Sequence, residues 1–412
     1  MWRFPAAHPD CPRPVVTLAS ILGHALLIAT CGYALLSLLA CRWWQRRVQR
    51  QPGATQAVSV LKPLYGHEPG LYDNLRSFCL QDHPHYQLVF GLHSANDAAL
   101  VTVERLRAEF PQQDIAVVID ARVHGLNLKV SNLINLLPQA RHDWLLLADS
   151  DIHAPPDLLR RITAPLADPT VGVVSCLYRG TALGGLWSRL GAQFIDDWFA
   201  PSVTLARRFG YTDYSFGASI ALRRDTLSTI GGFAALSQHV ADDYWLGELT
   251  RRQGLRTMLS ECSVQTDVVE TRLADLAARE LRWLRSIRSI APLGYLSMFI
   301  SFATPMAVAG WFMAGETLLA SLLASAALGL RLVLHSVQSR VSERTSKPLD
   351  FLKNFALVPV RDCLSLLLWT IALAGRVVRW RGRQMKIARR VRRPARTPAL
   401  QCPPAPSQRP SR

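Results

Sequence analysis

Charge-free apolar stretches at both ends of the chain limit what it can fold into. Val15 to Cys41 contains no Asp, Glu, Lys or Arg, and neither does Ala291 to Gly315, while Thr317 to Ser339 is interrupted only by Arg331. Each stretch is long enough to cross a bilayer, which takes about 20 residues. We therefore predict a transmembrane anchor at 15–41 and a spanning hairpin at 291–339.

A basic cluster behind the first stretch sets its orientation. Four arginines lie between positions 42 and 50, whereas a signal peptide carries its basic residues in front of a shorter apolar core. We interpret 15–41 as an uncleaved anchor that follows a short N-terminal segment at 1–14. By the positive-inside rule, the residues after the anchor are expected to be cytoplasmic.

A third apolar stretch, Phe355 to Gly375 within a segment at 351–378, contains Arg361 and Asp362. It is either a third membrane span or an interfacial or re-entrant segment. Charged side chains are costly in the hydrocarbon core. A full span would also place the basic C-terminal tail outside, against the positive-inside tendency. Both arguments favour the interfacial or re-entrant interpretation.

Most of the net charge of +17 lies in the C-terminal tail. Residues 376–412 hold twelve Arg and Lys and no acidic residue, which leaves the rest of the chain at about +5. The tail at 379–412 is rich in Pro and poor in apolar residues, so we predict that it is disordered. Such a tail suits anionic lipid or nucleic acid. The apolar stretches favour the lipid bilayer, and we expect no nucleic-acid partner.

The middle of the chain, 51–289, alternates short apolar strand patterns with amphipathic helix patterns. This alternation predicts an α/β domain with a mostly parallel sheet. Neither GxGxxG nor a Walker A sequence occurs, which disfavours the common dinucleotide and P-loop folds. The predicted strands are Ala57–Leu61, Tyr86–Leu92, Ile115–Ile119, Trp144–Ala148 and Val171–Cys176, and the clearest helices are Ala98–Phe110 and Lys129–Leu137.

Two carboxylates, Asp149 and Asp151, follow the central predicted strand Trp144–Ala148 with one residue between them. One interpretation is a turn that leads to the N-cap of a helix, where Asp and Ser are common. The other is a cation site, because ligands of parallel α/β sheets bind beyond the carboxyl ends of the strands. Hard oxygen ligands at that edge suit Mg²⁺ or Mn²⁺, which in turn can hold a diphosphate.

Further polar residues recur where such a site would need them. Asp97 follows the second predicted strand, and Asp242-Asp243 begins a helical pattern, where capping is the simpler explanation. Arg279, Arg282 and Trp283 fall at i, i+3 and i+4 on one helical face. That helix is either a basic interfacial helix or a surface on which two guanidiniums and an indole meet a diphosphate and a sugar ring.

The order of these motifs resembles the D, DxD, D, (Q/R)xxRW pattern of inverting family 2 glycosyltransferases, and more closely their ceramide glucosyltransferase branch. The resemblance covers roughly 58–383. Within that branch the chain is most similar to bacterial enzymes that place N-acetylglucosamine on the hopanoid bacteriohopanetetrol. The segments that carry the resemblance are "LKPLYGHEPGLYDNLRSF", "GLNLKVSNL", "DDWFAPS", "GASIALRRDTLSTIGGF", "ADDYW", "ELRWLRSIR" and "VPVRDCLSLLLW".

This resemblance implies a GT-A fold at 51–289, a UDP-sugar donor and a metal, Mg²⁺ or Mn²⁺. It implies that Asp243 is the general base and that Arg282 and Trp283 complete the catalytic face, with Trp283 forming part of the acceptor pocket. The metal ligands would be Asp151 and Asp149. The remaining donor-binding residues would be Glu68, Asp97, Lys129, Asp149 and Arg279.

The expected function is transfer of a hexose, with inversion, from a UDP-sugar to a membrane lipid. The resemblance favours N-acetylglucosamine and bacteriohopanetetrol, with UDP-glucose and ceramide as the alternative. A polysaccharide synthase would need more C-terminal helices, and a membrane adaptor would not explain four ordered motifs. The expected location is the bacterial inner membrane, with several spans and a cytoplasmic catalytic domain.

Overall fold

The computed structural model describes residues 17–47, 53–341, 348–380 and 383–386. Its centre is an eight-stranded sheet. The predicted strands are confirmed to within a few residues, except that the fifth extends to Ala182. The strands are β1 Val58–Pro63, β2 Tyr86–Leu92, β3 Asp114–Ile119, β4 Trp144–Ala148, β5 Ile152–His153, β6 Val171–Ala182, β7 Ser219–Arg223 and β8 Arg256–Val268.

The sheet is mixed, with a parallel half that contains the predicted central strand. Its order is β3-β2-β1-β4-β7-β6-β8-β5, and the pairs among β3, β2, β1 and β4 are all parallel. The strand β7 is antiparallel to both β4 and β6. The expected α/β class with a mostly parallel sheet is therefore confirmed, and β4 lies in the middle.

Helices cover both faces of the parallel half. Val58, Val60 and Leu146 contribute to one hydrophobic core, whereas Leu61 and Leu145 contribute to the other. This division follows from the two-residue period of a strand, and burial on both faces is typical of parallel sheets. The helices of this domain are α2 Leu71–Cys79, α3 Ala99–Glu109, α4 Leu128–Leu136, α5 Leu158–Thr163, α6 Leu186–Gln193, α7 Ala200–Arg208, α8 Arg224–Thr229, α9 Asp242–Arg252 and α10 Leu273–Ile290.

Apolar helices flank this domain in the chain. They are α1 Leu18–Arg47, α11 Pro292–Ser297, α12 Ala303–Met313, α13 Leu318–Val341 and α14 Pro348–Ala372. By length and composition, three helices in the described part of the chain, α1, α13 and α14, could cross a membrane. The number rises to four if 292–313 is counted as one broken span.

The first arm of the predicted hairpin is not a straight span. Residues 292–301 and 303–313 form two helical pieces that meet at 76°. Pro305 has no N–H to continue the earlier helix, so the break falls just before it. The Asp362 carboxylate accepts a hydrogen bond from the backbone N–H of Thr304 at 3.2 Å and satisfies the exposed start of α12.

The C-terminal region differs from expectation in two ways. The charges of Arg361 and Asp362 do not face lipid, because both side chains are buried in ion pairs within the protein. Their cost in lipid therefore no longer argues against a span. The predicted disordered tail begins too early, since Arg383–Lys386 pairs antiparallel with Val377–Trp380. The β-branched and aromatic residues of "VVRW" favour a strand. This local preference is not visible in the composition of the tail as a whole. Residues 387–412 and the segment 1–14 lie outside the described residues.

Candidate active site

A cavity of about 470 Å³ lies at the carboxyl ends of β1 and β4, between the start of α9 and one face of α10. It brings together predicted site residues from five separate parts of the sequence. The predicted site residues that line it are Glu68, Lys129, Asp149, Asp151, Asp243, Arg279, Arg282 and Trp283.

The two carboxylates after β4 are held by different partners. Asp149 Oδ1 lies 2.5 Å from the Lys129 Nζ at the start of α4. Asp151 Oδ2 accepts a hydrogen bond from the Thr266 hydroxyl on β8 at 2.9 Å. Between them, the Ser150 hydroxyl donates to Glu68 Oε2 at 2.7 Å. The DSD turn is thus fixed on three sides by groups far away in sequence.

Lys62 at the end of β1 is a site residue that the sequence analysis missed. Its Nζ donates to the Asp149 carbonyl oxygen at 2.8 Å, and the side chain is fully buried. Burial lowers the pKa of this amine to about 7, although Asp149, Asp151 and Glu68 oppose the shift. A polar residue directly after an apolar strand was the available signal, the same one that identified Asp149.

Acidic groups are crowded at this edge of the sheet. Burial, followed by the neighbouring charges of Asp149 and Glu68, raises the pKa of Asp151 to about 7. Among the described residues, no group of three or more His, Cys, Asp and Glu is arranged to enclose a metal. Mg²⁺ and Mn²⁺ do not need one, because Mg²⁺ typically binds one or two carboxylates together with substrate phosphates. The donor set fits a cation that arrives with a diphosphate and relieves this crowding.

Asp243 occupies the first turn of α9 and faces the cavity. Its Oδ2 accepts from the Gly217 N–H at 2.9 Å and its Oδ1 from the Tyr244 N–H at 2.8 Å. Burial, followed by the charge of Asp242, raises its pKa to about 6. Asp242 instead lies 3.7 Å from Lys129 and accepts from Asn127. The expected helix start is confirmed, and the fold holds the Asp243 carboxylate in place through backbone donors.

The helix α10 presents Arg279, Arg282 and Trp283 to the cavity on one face, as their spacing predicted. Arg279 Nη1 pairs with Glu270 at 2.8 Å, and its guanidinium lies 5.1 Å from the centre of the Trp283 ring. Burial lowers the pKa of Arg282, while the charge of Asp243 opposes the shift. Arg282 is therefore held within the field of the Asp243 carboxylate, whereas Arg279 is paired with Glu270.

Asp97 is the one predicted site residue that is not on the cavity wall. Its carboxylate accepts from the Gly66 N–H at 2.9 Å and from the Ala99 N–H at 2.9 Å. It thereby joins the start of α3 to the loop that carries Glu68. Direct contact of Asp97 with a nucleotide stays a prediction, and the contacts present here serve to position that loop.

The cavity also has an aromatic wall, which the sequence did not predict as a unit. Tyr178 stacks on Phe199 at 4.5 Å between ring centres, and Phe194 stacks on Trp198 at 4.7 Å. Phe194 also stacks on Trp283 at 6.2 Å. The aromatic residues that line the cavity are Tyr178, Phe194, Trp198, Phe199, Tyr211, Tyr214, Phe216, Tyr244 and Trp283. In the sequence, only the segments "DDWFAPS" and "ELRWLRSIR", which contain Trp198, Phe199 and Trp283, indicated aromatic residues near the site.

Comparison with known families decides the assignment. The profile described as Glycosyl transferase family 21 matches residues 24–392, which includes the whole site and the flanking apolar helices except the first turns of α1. The chain belongs to this family. Membership of this glycosyltransferase family agrees with the GT-A-like sheet, in which the DSD turn lies at the carboxyl end of β4.

Two curated relatives illustrate the range of proteins to which the chain is similar. Ceramide glucosyltransferase 3 of Caenorhabditis elegans is 23% identical over 66% of this chain and 59% of its own length. A protein of Rhizobium meliloti (strain 1021) named N-acetylglucosaminyltransferase is 25% identical over 56% of this chain and 55% of its own length. The chain thus spans little more than half the length of these relatives.

Among solved structures, the mannosyltransferase PcManGT from Pyrobaculum calidifontis, in complex with GDP-Man and Mn²⁺, is 20% identical. The match covers 85% of this chain and 99% of that one, with a TM-score of 0.46.

Proposed function

We propose that this family 21 glycosyltransferase transfers a hexose, with inversion, from a UDP-sugar to a hydroxyl group of a membrane lipid. The observation that carries the proposal is the single cavity in which the Asp243 carboxylate, two arginines of α10 and the DSD turn face one another. A transfer reaction needs a base for the incoming hydroxyl and positive charge for the departing diphosphate, and these groups supply both.

The donor half of the site is the acidic edge of the sheet. Asp151 and Asp149 would hold Mg²⁺ or Mn²⁺, which supplies positive charge to the diphosphate when bound. Glu68, Lys129 and Arg279 also line the cavity and are proposed to bind the UDP-sugar. Asp97 acts on the donor through the Glu68 loop that it holds.

In the chemical step, the oxygen of the acceptor hydroxyl attacks the anomeric carbon of the sugar, and Asp243 accepts the proton of that hydroxyl. The bond from that carbon to the diphosphate oxygen breaks, and UDP leaves from the opposite side. One displacement inverts the configuration and requires only one base. Arg282, together with Arg279, stabilises the charge that develops on UDP.

The acceptor half of the site is the aromatic wall with Trp283. The cavity continues along α10 to Ile287, Ile290 and Ala291, directly before the two apolar helical pieces at 292–301 and 303–313. A lipid leaves the bilayer only at a cost of about 0.8 kcal/mol per exposed CH₂, so its reacting hydroxyl must meet the enzyme at the membrane surface. The cavity extends to the start of the apolar helices, which is the part of the chain suited to meet a lipid at the membrane surface.

We infer that the acceptor is the polyol hopanoid bacteriohopanetetrol and the sugar is N-acetylglucosamine. The resemblance of the site motifs to hopanoid enzymes supports this pair, and flat aromatic faces suit a sugar or a rigid ring system. Ceramide with UDP-glucose is the second candidate, favoured by the similarity to relatives that bear the name ceramide glucosyltransferase. We propose the bacterial inner membrane as the location, with the catalytic domain on the cytoplasmic side.

The test is a competition of two donor and acceptor pairs with the enzyme purified in one detergent. We expect UDP-N-acetylglucosamine and bacteriohopanetetrol to give a glycosylated hopanoid and UDP, as detected by mass spectrometry, and ceramide with UDP-glucose to react more slowly. Asp243→Asn is the matched control for background transfer. Transfer to ceramide alone would retain the reaction class and overturn the acceptor, whereas no transfer to either lipid would contradict the proposed function.

A further inference from the structure

A buried cluster of charges lies where the apolar helices α13 and α14 meet the catalytic domain. Arg331 of α13 donates to Asp197 Oδ2 at 3.2 Å and to Asp362 Oδ1 of α14 at 3.0 Å. His335 Nδ1 lies 2.8 Å from the same Asp197 oxygen. None of these four residues is more than 6% exposed.

This cluster gathers several apolar elements around one short piece of the catalytic domain. Arg331 is the only charged residue of Thr317–Ser339. Asp362 also accepts from the Thr304 hydroxyl at 3.0 Å and so ties α12 to the same point. Ionisable residues in apolar helices are expensive and typically mark a function with a definite partner. Here the partner from the catalytic domain is Asp197.

Asp197 belongs to a π-helical turn, Phe194–Phe199, which joins α6 to α7 without a break. Turns of this kind re-aim side chains and are frequent at functional sites. The aromatic residues Phe194, Trp198 and Phe199 of this turn face the cavity. Asp197 faces α13 instead, and although burial raises its pKa, His335 and Arg331 hold that pKa below its ordinary value.

We propose that Arg331, His335 and Asp362 are positioning residues that hold the aromatic wall of the acceptor half in its working register. The inference rests on the proposed function and adds to it a device outside the cavity. The three residues touch no reacting atom. They fix Asp197, and through it the rings of Trp198 and Phe199 on the other side of the turn.

This role predicts a specific kinetic pattern. Loss of the cluster loosens the wall against which the acceptor lies, whereas the donor half is held by Lys129, Thr266 and Glu68 on other elements. The acceptor KM therefore rises while donor affinity stays the same. Simple attachment of the membrane helices to the domain would change only the thermal stability.

The experiment compares Arg331→Gln with Arg47→Gln as a matched control. Arg47 also links an apolar helix to the catalytic domain, through Glu261 at 2.9 Å, but Glu261 belongs to β8 and not to the π-helical turn that carries the cavity aromatics. We expect Arg331→Gln to raise the acceptor KM about tenfold with a UDP dissociation constant within about twofold of wild type. Arg47→Gln should leave both unchanged. The acceptor KM of the double variant Arg331→Gln/Asp362→Asn should lie closer to that of wild type. Asp197 still pairs with His335 in this variant, and residue 362 no longer carries a charge without its cation.

A milder pair guards against loss of folding. His335→Asn retains a donor near the position of Nδ1 and should keep the acceptor KM, whereas His335→Leu removes the donor and should raise it. The inference is overturned if the wild type transfers sugar but His335→Leu and Arg331→Gln match the acceptor KM of Arg47→Gln. If the wild type transfers to neither lipid, it is the proposed function that fails, as the same assay shows before any variant is compared.

Discussion

At the residue scale, the acidic edge of the site depends on polar side chains at the carboxyl ends of two neighbouring strands, β1 and β4. Asp149 and Asp151 follow β4 and lie in the cavity. Lys62 lies in the same way at the end of β1, yet nothing in the sequence distinguishes it from an ordinary surface lysine. Its role depends on full burial beside Asp149, which only the three-dimensional arrangement determines.

Asp243→Asn tests the assignment of the base. The amide keeps the shape of the side chain and removes the proton acceptor, so kcat should fall on the order of 10²–10⁴. UDP binding, measured by calorimetry, should change little. Asp242→Asn is the adjacent control, since Asp242 pairs with Lys129. A larger loss of kcat in Asp242→Asn than in Asp243→Asn would transfer the role to Asp242.

The pH dependence of the reaction follows from the raised pKa of Asp243, about 6. The base acts as a carboxylate, so kcat/KM should be constant above this value and fall as the pH drops through it. The groups that face Asp243 are Asp242, Lys129, Asp149, Arg282 and Tyr178. A pH profile of kcat/KM with an acid limb near 6 is expected. A limb near the ordinary aspartate value of 3.8 would contradict the burial argument.

Asp151→Asn tests the cation site. The amide is a poorer ligand for a hard cation, so UDP binding that depends on Mg²⁺ or Mn²⁺ should weaken while the fold survives. Asp120→Asn is the control, because Asp120 also follows a strand of the sheet, β3, but pairs with Arg122 away from the cavity. Equal metal-dependent UDP affinity in both variants would mean that Asp151 is not a ligand.

At the scale of elements, period and strand-end patterns predicted the parallel half of the sheet. They did not predict β7, which is antiparallel to both of its neighbours, or β8, which runs parallel to β6. The parallel strands are buried on both faces and form compact apolar runs. By contrast, β8 carries Glu261 and Asp267, and its burial depends on partners distant in sequence. The break in 291–315 was not predicted for a related reason. The start of α12 after the break is capped by Asp362, which comes 58 residues after Thr304 in the sequence.

The joint between α10 and α14 provides a stability prediction for an element. Arg361 pairs with Glu280 at 2.8 Å, and both side chains are almost fully buried. Arg361→Gln leaves the Glu280 charge without its cation and should cost about 3–5 kcal/mol of unfolding free energy. Glu280→Gln/Arg361→Gln removes both charges and should cost less, as seen in thermal unfolding in detergent. Equal losses would mean that the pair contributes packing rather than charge compensation.

At the scale of the whole molecule, α1 defines a direction across the apolar bundle. Its first turns approach the end of α12, where a Cβ on Gly23 would lie 2.5 Å from the Ala314 nitrogen. Its last turns pack on the catalytic domain, where Trp44 joins Leu177 and Leu259. The loop at Glu316, next to Ala314, is therefore on the side of the bundle away from the catalytic domain.

The helix α14 contacts the catalytic domain near both of its ends. Near its start, Gln193 donates to the Asn354 carbonyl at 2.5 Å. Just after its end, Arg285 donates to the Val377 carbonyl at 2.9 Å. A helix that crosses a bilayer core of about 30 Å separates its two ends by that distance, and only one end can then meet a domain on one side. These contacts favour an α14 that lies along the domain at the membrane surface.

The last prediction concerns the side of the membrane that the C-terminal region occupies. Single cysteines at Glu316 and Arg376, in a background without the native Cys, are treated with a membrane-impermeant thiol reagent in intact cells. Glu316→Cys should be labelled because it lies on the far side of the bundle. Arg376→Cys, directly after α14, should be protected until the cells are opened. Equal labelling of the two in intact cells would mean that α14 crosses the membrane, and protection of Glu316→Cys together with labelling of Arg376→Cys would reverse the orientation derived from the arginines after α1.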